Sequence, residues 1–332
     1  MDSLSQIALG AGVTLAVMGR RSAPWKSALV GAAIGTVPDL DVVIDYGDAV
    51  LNMVQHRADS HALFWLTLAG PPLGALIACL LGERAHWRRW ALAVWLALFT
   101  HPLLDLFTVY GTQLLRPFSS YPYGLGSVFI IDPLYTLPLL IGLAWSLASG
   151  RLRANRIGLL VSTAYLCWGF VAQQVVTGVA QRALAAQGIA AERVLVTPTA
   201  FNTVLWRIVA VTPTHFHEGY YGLLDDTSQV RFDTFDRGAP LIDAWRGHWA
   251  VLRIAAFSHG FYKMQERDGR IRLVDLRMGQ EPFFSFDFDL AAAGEAPAQQ
   301  APVSRDGRRV PFDRGLPWLG RRLLGEELPP PR

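Results

Sequence analysis

Between Ala62 and Leu81 the chain runs 20 residues without a charged side chain, and between Ile157 and Ala180 it does so for 24. In a hydrocarbon environment every unpaired backbone amide or carbonyl costs several kcal/mol, so runs of this kind fold as helices that satisfy their own backbone. About 20 such residues cross a core of ~30 Å. Composition agrees, with 52% hydrophobic residues, 17% charged and a mean hydropathy of +0.26.

Trp90 to Val109 and Val128 to Ser149 are comparable in length but contain His101, Asp105 and Asp132, and read as spans with a polar inner face. Leu4 to Met18 and Ser27 to Val37 are shorter, as tilted, partly inserted or re-entrant helices are. The expectation is a mainly α chain. A polytopic helical membrane domain with six apolar segments, four of them clear spans, occupies residues 1–181; a small β-rich extramembrane domain follows over 182–290, then a flexible tail over 291–332. Cys79 and Cys167 both fall in apolar runs, so no disulfide framework is expected. The start lacks a basic region and small-residue cleavage pattern, so the first apolar helix is expected to be retained.

Basic residues gather in three short connections: Arg20, Arg21 and Lys26; Arg84, Arg88 and Arg89; Arg151, Arg153 and Arg156. The positive-inside rule makes all three cytoplasmic. Pro38 to His61, with Asp39, Asp41, Asp45, Asp48 and Asp59 against Arg57 alone, and Tyr110 to Ser127, with only Arg116, then face the other side. The net charge of +3 thus follows the membrane and does not call for nucleic acid.

This alternation puts the polar groups at one leaflet. Asp39 and Asp41 end the second segment, His56 and His61 precede the third, and Asp132 begins the fifth. On the fourth, His101 and Asp105 lie roughly 16 and 22 Å above Trp90 and, four residues apart, share one face. Ionisable groups at membrane depth are costly enough to mark a functional site by default. One histidine alone is more often a satisfied core residue. Three with at least four aspartates form a donor set that suits zinc, manganese or iron.

Asp45, Asp48 and Asp59 also read as solvated loop charge or helix caps. Asp41 or Asp59 is a spare carboxylate that could serve as general base. Arg57 and Arg116 match phosphate oxygens as anion clamps, or else pair with a nearby Asp and sit at headgroup level beside Tyr121 and Tyr123, respectively. Glu83 is the first glutamate and falls on the cytoplasmic side, so the His-Glu pairing of zincin peptidases is absent.

After Ala180, strand-like segments follow: Arg193 to Thr197, Val204 to Ala210, Trp249 to Phe257, Ile271 to Leu276 and Pro282 to Leu290, with a hairpin signal at Asp268-Gly269. His215 and His217 share one strand face, where exposed histidines without metal are the commoner case. Gly315 to Gly325 is a short basic and apolar piece within the tail, too small to hold a membrane surface firmly on its own.

The blocks Met1 to Gln6, Val37-Pro38-Asp39-Leu40-Asp41, His56-Arg57 with Ser60-His61, His101 to Thr112 and Ile131 to Tyr135 carry a family likeness, which extends to Pro198 to Asn202 and Gly219 to Asp225. The chain resembles the YdjM-like family of bacterial inner-membrane, predicted metal-dependent hydrolases, also described as LexA-binding. The resemblance implies a helical metal-binding core distantly similar to zinc-dependent phospholipases C and nucleases. It implies Asp39, His56, His61, His101 and Asp105 as ligands, with Asp2 and Asp41 as additions, and zinc as the cofactor with manganese as the alternative. Ser5-Gln6 stands where many relatives carry Thr-His, which removes one imidazole. The expected function is hydrolysis of a phosphoester or lipid-related substrate at the periplasmic face of the inner membrane, in a multi-pass protein whose C-terminal domain is periplasmic. Partners would be the lipid bilayer and a small-molecule or lipid-linked substrate. The alternative is a non-catalytic metal-binding scaffold or regulatory protein. A transporter fits less well, since no internal repeat is visible.

Overall fold

The computed structural model describes residues 1–227, 229–295 and 303–332. The chain divides into two compact units. The first comprises Met1–Ile44, Gln55–Phe170 and Ala200–Asn202; the second comprises Asp45–Val54, Val171–Thr199 and Thr203–Arg332.

Seven helices come first: α1 (Ser3–Met18), α2 (Pro24–Thr36), α3 (Ala49–Gln55), α4 (Leu63–Leu80), α5 (Trp87–Leu106), α6 (Pro133–Ser149) and α7 (Arg153–Ala186). Local chemistry sets several boundaries. The Asp2 carboxylate accepts the amide hydrogens of Leu4 and Ser5, both at 3.1 Å, and so caps α1. Asp132 caps α6 in the same way through the amide of Leu134 at 3.0 Å, Pro133 occupies the first helical position, and Gly150 ends the helix with φ of 68°.

Within the first unit the helices pack through small residues. The buried positions of α4, Leu66, Gly70, Gly74 and Ala78, recur every fourth residue. A Cβ on Gly74 would lie 2.4 Å from the Trp90 carbonyl oxygen, so only glycine allows the backbones of α4 and α5 to approach this closely. Gly10 and Gly31 do the same for α1 and α2. The core between these pairs contains Met18, Ile34, Leu66, Trp90, Val94 and Leu98. The large apolar side chains of Leu68, Leu76, Leu80, Ile141, Trp145 and Leu160 instead face outward. Glycines where helix backbones touch, with large apolar residues facing outward, is the pattern of membrane helices.

The expected six-segment, four-span polytopic domain is corrected by this structure. Among the described residues two helices, α4 and α7, are long and apolar enough to cross a membrane. At ~1.5 Å per residue, the 16 residues of α1, 13 of α2 and 17 of α6 fall short of a ~30 Å core. The 20 residues of α5 include Arg88, Arg89 and Asp105. Apolar run length overstated helix length: Val128 to Ser149 reads as one span, but Asp132 breaks off its first turn by capping the helix that follows. The chain is also about half helical with several sheets, and so not mainly α. An N-terminal helical region followed by a β-containing region remains.

In the second unit, β1 (Arg193–Pro198), β2 (Leu205–Val211), β3 (His215–Gly222) and β4 (Phe232–Asp236) form an antiparallel sheet in sequential order. Two helices follow, α8 (Ala239–Trp245) and α9 (Trp249–Phe257). The strand expected over Trp249 to Phe257 is thus a helix. Its buried residues Ala250, Val251, Ile254 and Phe257 follow the helical period, and the His248 side chain accepts from the amide of Ala250. Next come β5 (Tyr262–Arg267), β6 (Arg270–Asp275), β7 (Gly279–Gln280), β8 (Phe283–Phe284), β9 (Asp287–Ala292) and β10 (Ser304–Arg305). The second sheet has the order β10-β9-β6-β5, and Asp268 and Gly269, with φ of 56° and 69°, make the β5–β6 turn. The stretch Pro282 to Leu290, read as one strand, is split between β8 and β9.

Within the stretch expected to be a flexible tail, one helix is described. Helix α10 (Phe312–Leu323) is held by Arg322, whose guanidinium donates to both carboxylate oxygens of buried Asp225 at 2.5 and 2.6 Å. The linker expected near its start falls partly on residues 296–302, outside the described residues.

Candidate metal centre

Three local structures in the first unit deliver four donors to one point. A 3-10 turn, Pro38–Val43, begins directly after α2 and carries Asp39. A second 3-10 turn, Asp59–His61, leads into α4 and carries His61. Helix α5 presents His101 and Asp105 one turn apart on a single face.

The two Nε2 atoms of His61 and His101 lie 3.2 Å apart. Asp39 Oδ1 is 3.4 Å from each of them, and Asp105 Oδ2 is 3.3 Å from the first and 3.5 Å from the second. Five of the six donor–donor distances thus lie between 3.2 and 3.5 Å, close to the edge of a tetrahedron drawn around an ion at zinc-bond length, and all four donors lie within 4.8 Å of one another. The side chains of His61, His101 and Asp105 are fully buried, while that of Asp39 is 20% exposed.

Hydrogen bonding gives the same orientation. Nδ1 of His101 is 2.6 Å from the carbonyl oxygen of Gly35, which can only accept, so Nδ1 carries a proton, and when the ring is neutral its Nε2 presents a lone pair to the cluster. Asp105 Oδ1 receives the Gln6 side-chain amide at 3.2 Å and the Met1 amine, with an Arg57 guanidinium nitrogen at 3.5 Å. Its other oxygen, Oδ2, is buried without a hydrogen-bond donor. Lone pairs that converge in a buried space fit a cation and little else.

Burial raises the Asp39 pKa, but the nearby His101 and His61 rings outweigh it and hold the carboxyl well below its ordinary range. Asp41 behaves alike: burial raises its pKa, and hydrogen bonds involving His56 and Ser60 lower it further than burial raises it. Both groups are acceptors at neutral pH.

The remaining residues read from the sequence lie around this cluster. His56 Nδ1 contacts Asp41 Oδ1 at 2.7 Å and does not join the four donors. The other Asp41 oxygen accepts from the Arg57 amide at 2.9 Å and the Ser60 hydroxyl at 2.5 Å. The Arg57 backbone is left-handed, with φ of 64°, and its side chain is buried at 3% exposure, donating to Thr108 at 3.2 Å and lying over the Tyr110 ring. It neutralises Asp105 from behind and has no face toward an outside phosphate. Asp59 pairs with Arg116 near the surface, at 2.9 and 3.1 Å, away from the donors. Asp2 is engaged as the cap of α1. In the second unit, the Nδ1 atoms of His215 and His217 bond Thr214 and Thr234. Among the described residues, the Asp39, His61, His101 and Asp105 group is the sole His, Cys, Asp and Glu cluster of metal-holding geometry.

Sequence reasoning missed Gly35, Gln6, Ser60 and Thr108 as supports of the ligands. Ser60, within the His56 block, carried some signal; the Gly35 contribution is a backbone carbonyl, which no residue pattern announces.

The profile of the family described as YdjM inner membrane protein matches residues 1–176. A relative from Bacillus subtilis (strain 168), "Uncharacterized protein YfhP", is 26% identical over 294 residues, which cover 84% of this chain and 86% of that one. No solved structure matches. The matched region holds all four clustered donors together with α4, and it ends within α7; the family description and these two apolar helices agree in associating the chain with a membrane. With more than half of its sequence under that profile, the chain belongs to the YdjM inner membrane protein family.

Proposed function

We propose that this chain is a metal-dependent hydrolase of the bacterial inner membrane, acting on a phosphoester of a small-molecule or lipid-linked substrate at the periplasmic face. The observation that carries the reading is the convergence of Asp39, His61, His101 and Asp105 to within 4.8 Å of one another, with two imidazoles and two carboxylates as donors. That mix and those edges favour zinc, with manganese as the alternative. When bound, zinc supplies Lewis acidity, which acidifies water to a pKa of about 7 and polarises a phosphoryl oxygen.

The chain's own residues do the rest. Asp39 is the single exposed donor and marks the side from which a substrate reaches the centre. Arg57 balances the charge of Asp105 from the buried side. Phe64 and Trp65, exposed just after His61, offer an apolar wall to a lipid tail. The basic groups Arg84, Arg88 and Arg89 follow the far end of α4, and Arg151, Arg153 and Arg156 lie just before and within the start of α7, which by the positive-inside rule favours cytoplasmic positions for those ends and a periplasmic location for the donors and for the domain after α7.

One feature favours a second reading, a metal-binding scaffold: the cluster offers four protein donors, as structural zinc sites do, whereas catalytic sites keep a position open. Elemental analysis of the purified full chain, paired with turnover of a chromogenic phosphodiester and of phospholipid vesicles, separates the two. Zinc-dependent turnover lost in His101→Ala supports the hydrolase. Bound zinc with no turnover on any of these substrates supports the scaffold, and turnover that survives His101→Ala refutes this site.

A further inference from the structure

Beside the four donors lies a hydrogen-bonded arm that reaches His61 from outside the cluster. His61 Nδ1 is 2.9 Å from the Ser60 hydroxyl oxygen, and that oxygen is 2.5 Å from Asp41 Oδ2. A serine hydroxyl has one proton to give. Asp41 Oδ2 also receives the Arg57 amide at 2.9 Å and Oδ1 faces the His56 ring at 2.7 Å, so the carboxylate is surrounded by donors and accepts. The Ser60 proton therefore goes to Asp41, and Ser60 is left to accept from His61.

The consequence fixes a tautomer. His61 carries its proton on Nδ1, and its Nε2 lone pair faces Asp39, His101 and Asp105. Asp41 is itself held in place by the Arg57 amide at 2.9 Å and the His56 ring at 2.7 Å, so its direction toward Ser60 is set by two further donors.

We propose that Asp41 and Ser60 are positioning residues that set the tautomer of His61 for metal binding, a role that rests on the metal reading given above. In Asp41→Asn, the oxygen that stays in place is an uncharged, weaker acceptor shared with the Arg57 amide, and it holds the Ser60 proton less firmly. The Ser60 proton is then free to point at His61 Nδ1, which favours the opposite tautomer, with a proton in the place where the ion needs a lone pair. Supporting contacts of this kind change metal affinity by about 10- to 100-fold.

The test uses the full chain in detergent micelles, with Zn2+ affinity measured by competition with a chromophoric chelator and the His61 tautomer read from 15N imidazole shifts in histidine-labelled, metal-free protein. Expected are Nδ1 protonation in the wild type, a shift toward Nε2 protonation in Asp41→Asn, and an affinity loss of about tenfold or more in both Asp41→Asn and Ser60→Ala, with Ser60→Thr close to wild type. If Asp41→Asn does not fold, the Ser60→Ala and Ser60→Thr pair decides. Wild-type affinity in both Asp41→Asn and Ser60→Ala overturns the positioning role and leaves the metal reading standing. A wild type that takes no Zn2+ overturns the metal reading and, with it, this role.

Discussion

Gly31→Ala tests how tightly the site depends on helix packing far from it. A Cβ at this position would sit 2.2 Å from the Gly10 carbonyl oxygen and 2.5 Å from Thr14 Oγ1. Carbon and oxygen in contact stay about 3.3 Å apart, so α1 and α2 must separate by about 1 Å. Overpacking of this kind costs about 1 to 3 kcal/mol. Helix α2 also carries the Gly35 carbonyl that orients His101 and runs into the turn bearing Asp39. Metal sites tolerate about 0.2 Å in their distances, so a 1 Å shift of α2 spoils two of the four donors at once. The assay is thermal unfolding in detergent with and without added Zn2+, with metal retained after gel filtration as a second readout. The variant is expected to unfold at lower temperature, to lose the Zn2+-induced stabilisation, and to elute depleted of metal. A variant with wild-type unfolding temperature and full metal content would refute the packing argument.

Two other predictions separate support from chemistry. Asp2→Ala removes the α1 cap and is expected to cost about 1 kcal/mol in denaturant unfolding while metal content stays at the wild-type level; loss of the ion would restore Asp2 to the ligand list. The Asp59 carboxyl is held below its usual value, chiefly by its hydrogen bonds with Arg116. A depressed folded-state pKa gives stability that is present above the unfolded value of 3.8 and is lost as pH falls through the lower folded value. The pair is largely exposed, so Asp59→Asn is expected to cost less than about 1 kcal/mol at pH 7 and nothing below the folded pKa, with turnover unchanged; denaturation curves across pH and a rate assay check both parts.

The apolar runs at Ala62 and Ile157 located α4 and α7 because no polar residue interrupts them. The same logic failed where a single side chain ends a helix, as Asp132 does for α6, and where short buried stretches fit either period, as Trp249 to Phe257 did. At the site, the spacing of His101 and Asp105 was legible because helix geometry alone puts them together. The choice between His56 and His61, or between Asp39 and Asp41, was not. The left-handed turn at Arg57 separates the two histidines, and a 3-10 turn points the two aspartates to different partners, one to the cluster and one to Ser60. Those choices depend on backbone dihedrals that no local propensity encodes. Gln6, which looked like a missing ligand, is instead a donor to Asp105.

The four clustered donors come from three stretches separated by about 20 and 40 residues of chain, and none of those stretches holds more than two of them. During synthesis Asp39 and His61 leave the ribosome well before His101 and Asp105, at about 5 to 20 residues per second. The nascent protein thus spends seconds unable to grip an ion with full strength. An ion held by this cluster would load at the close of assembly and would staple together helices that have already found one another.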